Sequence, residues 1–216
     1  MLFDTAAAVL DWMGVIVFAV TGGLVASRKQ MDIVGFALLG TATGIGGGSL
    51  RDVLLGQPVF WVHEPAYLVT CLVVSALTFF AAHLPQSRYV VLLWLDALGL
   101  ALFCVTGAER ALLAGTGPTV AVAMGVITAT FGGVIRDVLG DEIPVVLTRE
   151  IYVTAALCGA AVFVTLSQVG LGREAAIAAG LGAGLAVRGA ALHWGWSLPR
   201  YHPRPGRTRE EIERLR

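Results

Sequence analysis

The chain has 216 residues, of which 56% are hydrophobic and 14% charged, with a formal net charge of zero and a mean hydropathy of +0.78. Soluble domains carry about 25% charged residues, and so few charges cannot cover this much apolar surface in water. The composition excludes a soluble globular domain, gives no electrostatic case for a nucleic-acid partner, and makes lipid the natural solvent.

A helix needs about 20 residues to cross the hydrocarbon core, and seven stretches are predicted to do so. The first, 6–26, has Asp4 as its only preceding charge; with no basic leader it reads as a span and not as a cleaved signal. The second, 32–56, carries Gly44-Ile45-Gly46-Gly47-Gly48-Ser49-Leu50-Arg51-Asp52, and the third covers 66–83. The fourth, 89–108, is followed by 118–140, which holds Thr128, Thr130 and Gly132-Gly133-Val134-Ile135-Arg136-Asp137. The sixth and seventh occupy 151–168 and 174–194, and the Ala/Gly-rich seventh suits close helix packing. From 197 to 216 the chain becomes a polar Arg- and Glu-rich tail, with a helical pairing expected between Glu210 and Arg214. Trp61, Tyr67, Tyr89, Trp94, Tyr152, Trp194 and Trp196 fall near the predicted ends, where amphipathic rings prefer to sit. Cys71, Cys104 and Cys158 stand singly in apolar runs and read as packing residues.

A shift of 85 residues superimposes the chain on itself without a gap from Asp11 to Leu54. Asp11 meets Asp96, Gly14 meets Gly99, Phe18 meets Phe103, Val20-Thr21-Gly22 meets Val105-Thr106-Gly107, and Arg51-Asp52-Val53-Leu54 meets Arg136-Asp137-Val138-Leu139. Repeat one then covers 6–83 and repeat two 89–168, each with three spans, inside a transmembrane domain of 1–196. An odd number of spans turns the second copy upside down, the inverted-repeat plan of many transporters and channels. The expected fold is an all-α membrane protein: an inverted three-helix repeat plus a seventh helix. Ten basic residues lie on the side of the C-terminus (Arg28, Lys29, Arg88, Arg149, Arg200, Arg204, Arg207, Arg209, Arg214, Arg216) against Arg110 and Arg173 on the other. The positive-inside rule places the C-terminus in the cytoplasm and the N-terminus outside.

Three glycines in a row inside an apolar span favour a helix kink or break, and so do their counterparts in the fifth span. Breaks at matching positions of two repeats point to a permeation or binding site. The candidate lining is Gly44, Gly46, Gly47, Gly48, Ser49, Thr128, Thr130, Gly132 and Gly133, and the hydroxyls offer oxygen ligands. The bland alternative is that the glycines only let the second and fifth spans cross closely. Arg51, Asp52, Arg136 and Asp137 need polar partners at this depth. Neighbours point about 100° apart on a helix, so cross-repeat pairs, Arg51 with Asp137 and Arg136 with Asp52, are expected, with Asp11 and Asp96 as alternative partners. Arg188 is expected to snorkel towards the cytoplasmic face. No metal-ligand spacing and no nucleophile with a positioned base is present, so no enzymatic activity is expected.

Two copies of a three-helix unit carrying Gly-Gly-Gly-x-x-Arg-Asp and Gly-Gly-x-x-Arg-Asp, followed by a seventh helix, resemble the prokaryotic members of the TRIC family of trimeric intracellular cation channels. The resemblance covers residues 6 to about 195. It implies a homotrimer in the bacterial inner membrane, with a pore in each protomer passing K⁺ and less selectively Na⁺. It also implies second and fifth helices kinked beside that pore at the glycine blocks. It implies no cofactor beyond the permeant ions and bound lipid. Animal members carry Lys-Glu where Arg51-Asp52 stand here, so their lipid and calcium regulation is not carried over. Some bacterial sequences with this domain are described as glycine transporters, which makes a small-zwitterion carrier the rival reading.

Overall fold

The structure, a computed structural model, describes residues 2–85, 87–199, 206–207 and 209–215. Helix α1 (Leu2–Arg28) is followed by α2 (Ile33–Leu54), a single turn α3 (Phe60–His63) and α4 (Ala66–Ala81). The pattern then recurs as α5 (Arg88–Leu113), α6 (Pro118–Leu139), a 3-10 turn (Val145–Leu147) and α7 (Val153–Gln168), before α8 (Arg173–Trp194) and a short α9 (Arg209–Glu213) in the tail. Local chemistry sets several boundaries. The Asp32 carboxylate accepts the Gly35 N–H at 2.8 Å to cap α2, and Ser87 does the same for Val90 at the start of α5. Pro118 opens α6, where a missing N–H costs nothing. Beyond α2 and α6 the chain turns through left-handed residues 85 positions apart, Gly56 (φ 63°) and Asp141 (φ 52°).

Among the described residues five helices are long and apolar enough to cross a bilayer: α1 from Ala8, α2, α5, α6 and α8. α4 and α7, at 16 residues each, reach about 24 Å at the helical rise, short of a hydrocarbon core of about 30 Å. The tail helix is stitched by Arg209 and Glu213, not by the expected Glu210 and Arg214 side chains. Arg200, Arg204 and Arg216 lie outside the described residues.

The repeats meet through reciprocal contacts between antiparallel helices. Gly14 leaves the space that the Phe103 ring occupies, and Gly99 leaves the space for Phe18; the two rings meet edge to face with centroids 5.1 Å apart. One layer further, Gly47 of α2 lies against the Thr128 carbonyl of α6, while Gly132 of α6 lies against the Thr43 carbonyl of α2. Residue numbers rise along one helix as they fall along the other, and each contact recurs 85 residues on. That is a twofold relation between oppositely directed repeats.

Two expectations are corrected here. Neither glycine block breaks its helix: α2 and α6 run unbroken from end to end. Glycine lowers helix propensity by only about 1 kcal/mol per residue, and the close backbone approach at Gly47 and Gly132 uses the missing side chains instead. Gly14, Gly22, Gly99, Gly180 and Gly184 likewise pack within the protomer; Gly180, for example, sits against Phe163 and the Gly159 carbonyl. Tyr67 and Tyr152 are not interfacial: both are buried, at 3% and 1% exposure.

Candidate functional site

Each repeat ends its second long helix on Arg-Asp, and both pairs close on themselves. Arg51 Nε donates to Asp52 Oδ1 at 2.8 Å, and Arg136 Nε donates to Asp137 Oδ1 at 2.9 Å. The expected cross-repeat pairs do not form. Adjacent side chains diverge by about 100°, but the long guanidinium arm curls back around the final turn and closes that angle. The second carboxylate oxygen reaches forward. Asp52 Oδ2 accepts the Phe60 N–H at 2.9 Å and Asp137 Oδ2 accepts the Val145 N–H at 3.0 Å, eight residues on in both cases. The pair is therefore a staple that folds the returning chain, α3 or the 3-10 turn, against the helix end.

The hydroxyls turn away from any common centre. Thr43 donates to Leu39 O, Ser49 to Ile45 O, Thr128 to Met124 O and Thr130 to Val126 O, so they satisfy their own helices. Ser49 Oγ also accepts the Trp61 indole N–H at 2.8 Å. Gly44 and Gly46 face Cys71 and Ile135 and serve packing. Gly48 and Gly133 differ from their neighbours, since each faces the returning chain of its own repeat: Gly48 meets the Phe60 ring, and Gly133 meets the Tyr152 hydroxyl beside Arg136 and Asp96.

Outside the staples the two half-sites part company. Asp96, one of the alternative partners, binds Arg136 Nη1 at 2.6 Å, and Thr21 Oγ1 accepts from the same nitrogen. Asp11, its counterpart, pairs instead with Arg110 at 2.7 Å. All four are buried, Arg136 and Asp96 at 1% exposure and Arg51 and Asp52 at 3% and 6%, but Arg51 and Asp52 line a cavity of about 810 Å³ with Gln57, Glu64, Tyr67 and Arg110. Arg188 does not snorkel. It is 1% exposed and pairs with Glu150 at 2.6 Å, with its guanidinium 5.1 Å from the centre of the Tyr152 ring. Tyr67, Tyr152 and Glu150 had not been singled out as site residues. The two tyrosines stand 85 positions apart, so extending the repeat past Leu54 reveals them; Glu150 has no such signal.

The charge count is the same at both ends. Around the cavity Asp11, Asp52 and Glu64 face Arg51 and Arg110; in the sealed half Asp96, Asp137 and Glu150 face Arg136 and Arg188. Each cluster holds three carboxylates to two guanidinium groups. A surplus negative charge in a medium of low dielectric is strongly felt by a nearby ion.

These features define an inverted-repeat membrane protein with a charged half-site at each end of the repeat pair. A family profile described as Glycine transporter matches the chain twice, over residues 8–83 and 93–168. The TRIC trimeric intracellular cation channel orthologue from Rhodobacter sphaeroides has a solved structure 62% identical to the chain, with a TM-score of 0.87 over 89% of this chain and 100% of that one. A second solved structure, a prokaryotic TRIC channel in 0.5 M KCl, is 31% identical with a TM-score of 0.83, over 90% of this chain and all of the other. The UPF0126 inner membrane protein YadS of Escherichia coli is 43% identical over 195 residues, 89% of this chain and 94% of its own. The chain belongs to the prokaryotic TRIC family.

Proposed function

We propose that the chain is a monovalent cation channel, passing K⁺ and less selectively Na⁺, with a pore in each protomer of a homotrimer in the bacterial inner membrane. The observation that carries this reading is the surplus carboxylate in both half-sites, one of them open to a cavity of about 810 Å³. A net negative mouth concentrates cations and repels anions. The kinship to solved TRIC channels supports the same reading, and the description of one of them as trimeric supports the homotrimer. The path enters at the cavity, passes Gly48 and Arg51, and leaves by Gly133 and Arg136, so it runs beside the crossing of α2 and α6, with Gly47 and Gly132 holding that crossing together. All seven apolar helices cross in this reading, with α3 and the 3-10 turn extending the reach of α4 and α7.

A carrier of a small zwitterion such as glycine is the second reading. The family profile's description supports it, and so does a half-site open at one end and sealed at the other, the geometry that alternating access requires. Purified protein in a planar bilayer under a K⁺ gradient separates the two. The channel gives discrete unitary currents reversing near the K⁺ equilibrium potential; silence together with saturable glycine counterflow assigns the carrier instead.

A further inference from the structure

The two half-sites are copies of one another, yet one is open and the other sealed, and the difference lies in a helix that the repeat does not duplicate. Among the described long helices α8 has no counterpart under the 85-residue shift. Its Arg188 binds Glu150 at 2.6 Å, donates to the Ile151 carbonyl at 3.3 Å and lies over the Tyr152 ring. Just beyond its C-terminus the Leu198 N–H donates to Arg149 O at 2.9 Å, and Ser197 forms a β-bridge with Glu150. Residues 149–152 are thus held from both sides by α8 and the chain leaving it.

That segment ends on Tyr152, whose hydroxyl fills the notch at Gly133 next to Arg136 and Asp96. At the opposite end the equivalent tyrosine, Tyr67, stacks on Trp12 with centroids 3.8 Å apart. There the cavity reaches its twin arginine.

Tyr152 is buried with its hydroxyl beside Arg136 and Asp96, and what fixes it there is the grip of Arg188 on Glu150 and Ile151.

We propose that α8 is a strap that keeps this half-site shut, with Arg188 as the positioning residue that holds Tyr152 in the Gly133 notch. The proposal rests on the channel reading for its physiological meaning, but the strap itself is a statement about access to the notch. Conduction requires Tyr152 to leave the notch, and the Arg188 contacts bias that two-state equilibrium towards closed.

Two readouts on the full-length trimer test it. The first is single-channel open probability. Arg188→Gln is expected to raise it at least about fivefold, the scale of an ordinary coupling between sites. Arg188→Lys, which keeps the charge but loses the flat contact on the ring, falls between the two. The second needs no current. Thr21 is buried against Arg136, and a Thr21→Cys reporter, with Cys71, Cys104 and Cys158 replaced by alanine, is titrated with a charged water-soluble thiol reagent. Its modification rate rises with Arg188→Gln. Should Arg188→Gln fail to assemble, Glu150→Gln weakens the same brace from its half-exposed partner and is read identically. A folded, trimeric variant with wild-type open probability and wild-type Thr21→Cys rate overturns the strap. A raised rate in a protein that carries no current upholds the strap and removes the channel reading.

Discussion

Arg51 and Arg136 hold the same place in their repeats, but removing them leaves different debris. Arg136→Ala strands Asp96 and Asp137, both buried and away from the cavity. Breaking a buried ion pair in this way costs about 3–5 kcal/mol, and the variant is expected to lose most of its detergent-stable trimer. Arg51→Ala strands one carboxylate, Asp52, which keeps the Phe60 N–H and borders the cavity. Water can hydrate it there, so the expected loss is smaller, and a thermal unfolding series in one detergent should place Arg51→Ala clearly above Arg136→Ala in Tm. The reverse order would mean that the cavity does not hydrate Asp52. The glycines divide in the same way. A methyl group at Gly47 or Gly132 meets a carbonyl of the opposing helix, whereas at Gly48 it meets the edge of the Phe60 ring, which can turn. Gly47→Ala and Gly132→Ala are each expected to cost about 1–3 kcal/mol, the range for overpacking. Gly48→Ala should cost less and act on conductance first, which unfolding and bilayer recordings on the same preparations separate.

At the level of elements, α2 and α6 owe their close crossing to glycine and their helix ends to the Arg-Asp staple. The staple is why α3 and the 3-10 turn lie where they do, and α3 in turn brings Glu64 to the mouth of the cavity. Glu64→Lys would reverse the charge surplus there without touching the staple. It is expected to lower cation conductance several-fold at about 0.02 M salt and very little at about 1 M, where the screening length shrinks to about 3 Å. An effect independent of salt would argue against an electrostatic mouth. Much of this was open to a reader of the sequence. The apolar helices and the repeat follow from apolar run length and from one register shift. The continuity of α2 and α6 did not, because a glycine run looks the same whether it loosens a helix or admits a neighbour. Only the facing residues, Thr128 for Gly47 and Thr43 for Gly132, decide the matter. The charge partners were hidden for a related reason. Asp11 and Asp96 hold the same place in their repeats, and Arg110, which has no counterpart in the other repeat, draws one of them away.

For the whole molecule, the basic residues predict the side on which each half-site opens. The sealed half lies with Arg28 and Arg149, and the cavity with Arg110. By the positive-inside rule the cavity is expected to face outwards and the strap the cytoplasm. A reporter active only in the cytoplasm should therefore work when fused after the last residue and fail when inserted after Arg110; the opposite pattern turns the molecule over. The homotrimer is tested by a detergent-corrected mass, expected at three times 22.6 kDa, and a mass of one or two subunits removes it.

The interlock of Phe18 in the space left by Gly99 and Phe103 in the space left by Gly14 carries a consequence for how such a molecule can arise and change. It has the form of an isologous homodimer contact, in which one patch is its own partner, although here a single chain supplies both copies. A three-helix chain of one repeat, inserted in both orientations, would present the same ring and the same notch to its inverted twin and could close without a linker. Fusion into one chain then frees the halves to diverge, but only where they do not face each other. At Gly14, Phe18, Gly99 and Phe103 a change in either half must be answered in the other. Expressed as two separate pieces, residues 1–85 and 86–216, the halves are therefore expected to reassemble in the same membrane, and Phe18→Ala in one piece should abolish recovery of the pair by affinity pull-down. Recovery unaffected by that substitution would place the memory of the ancestral dimer elsewhere in the fold.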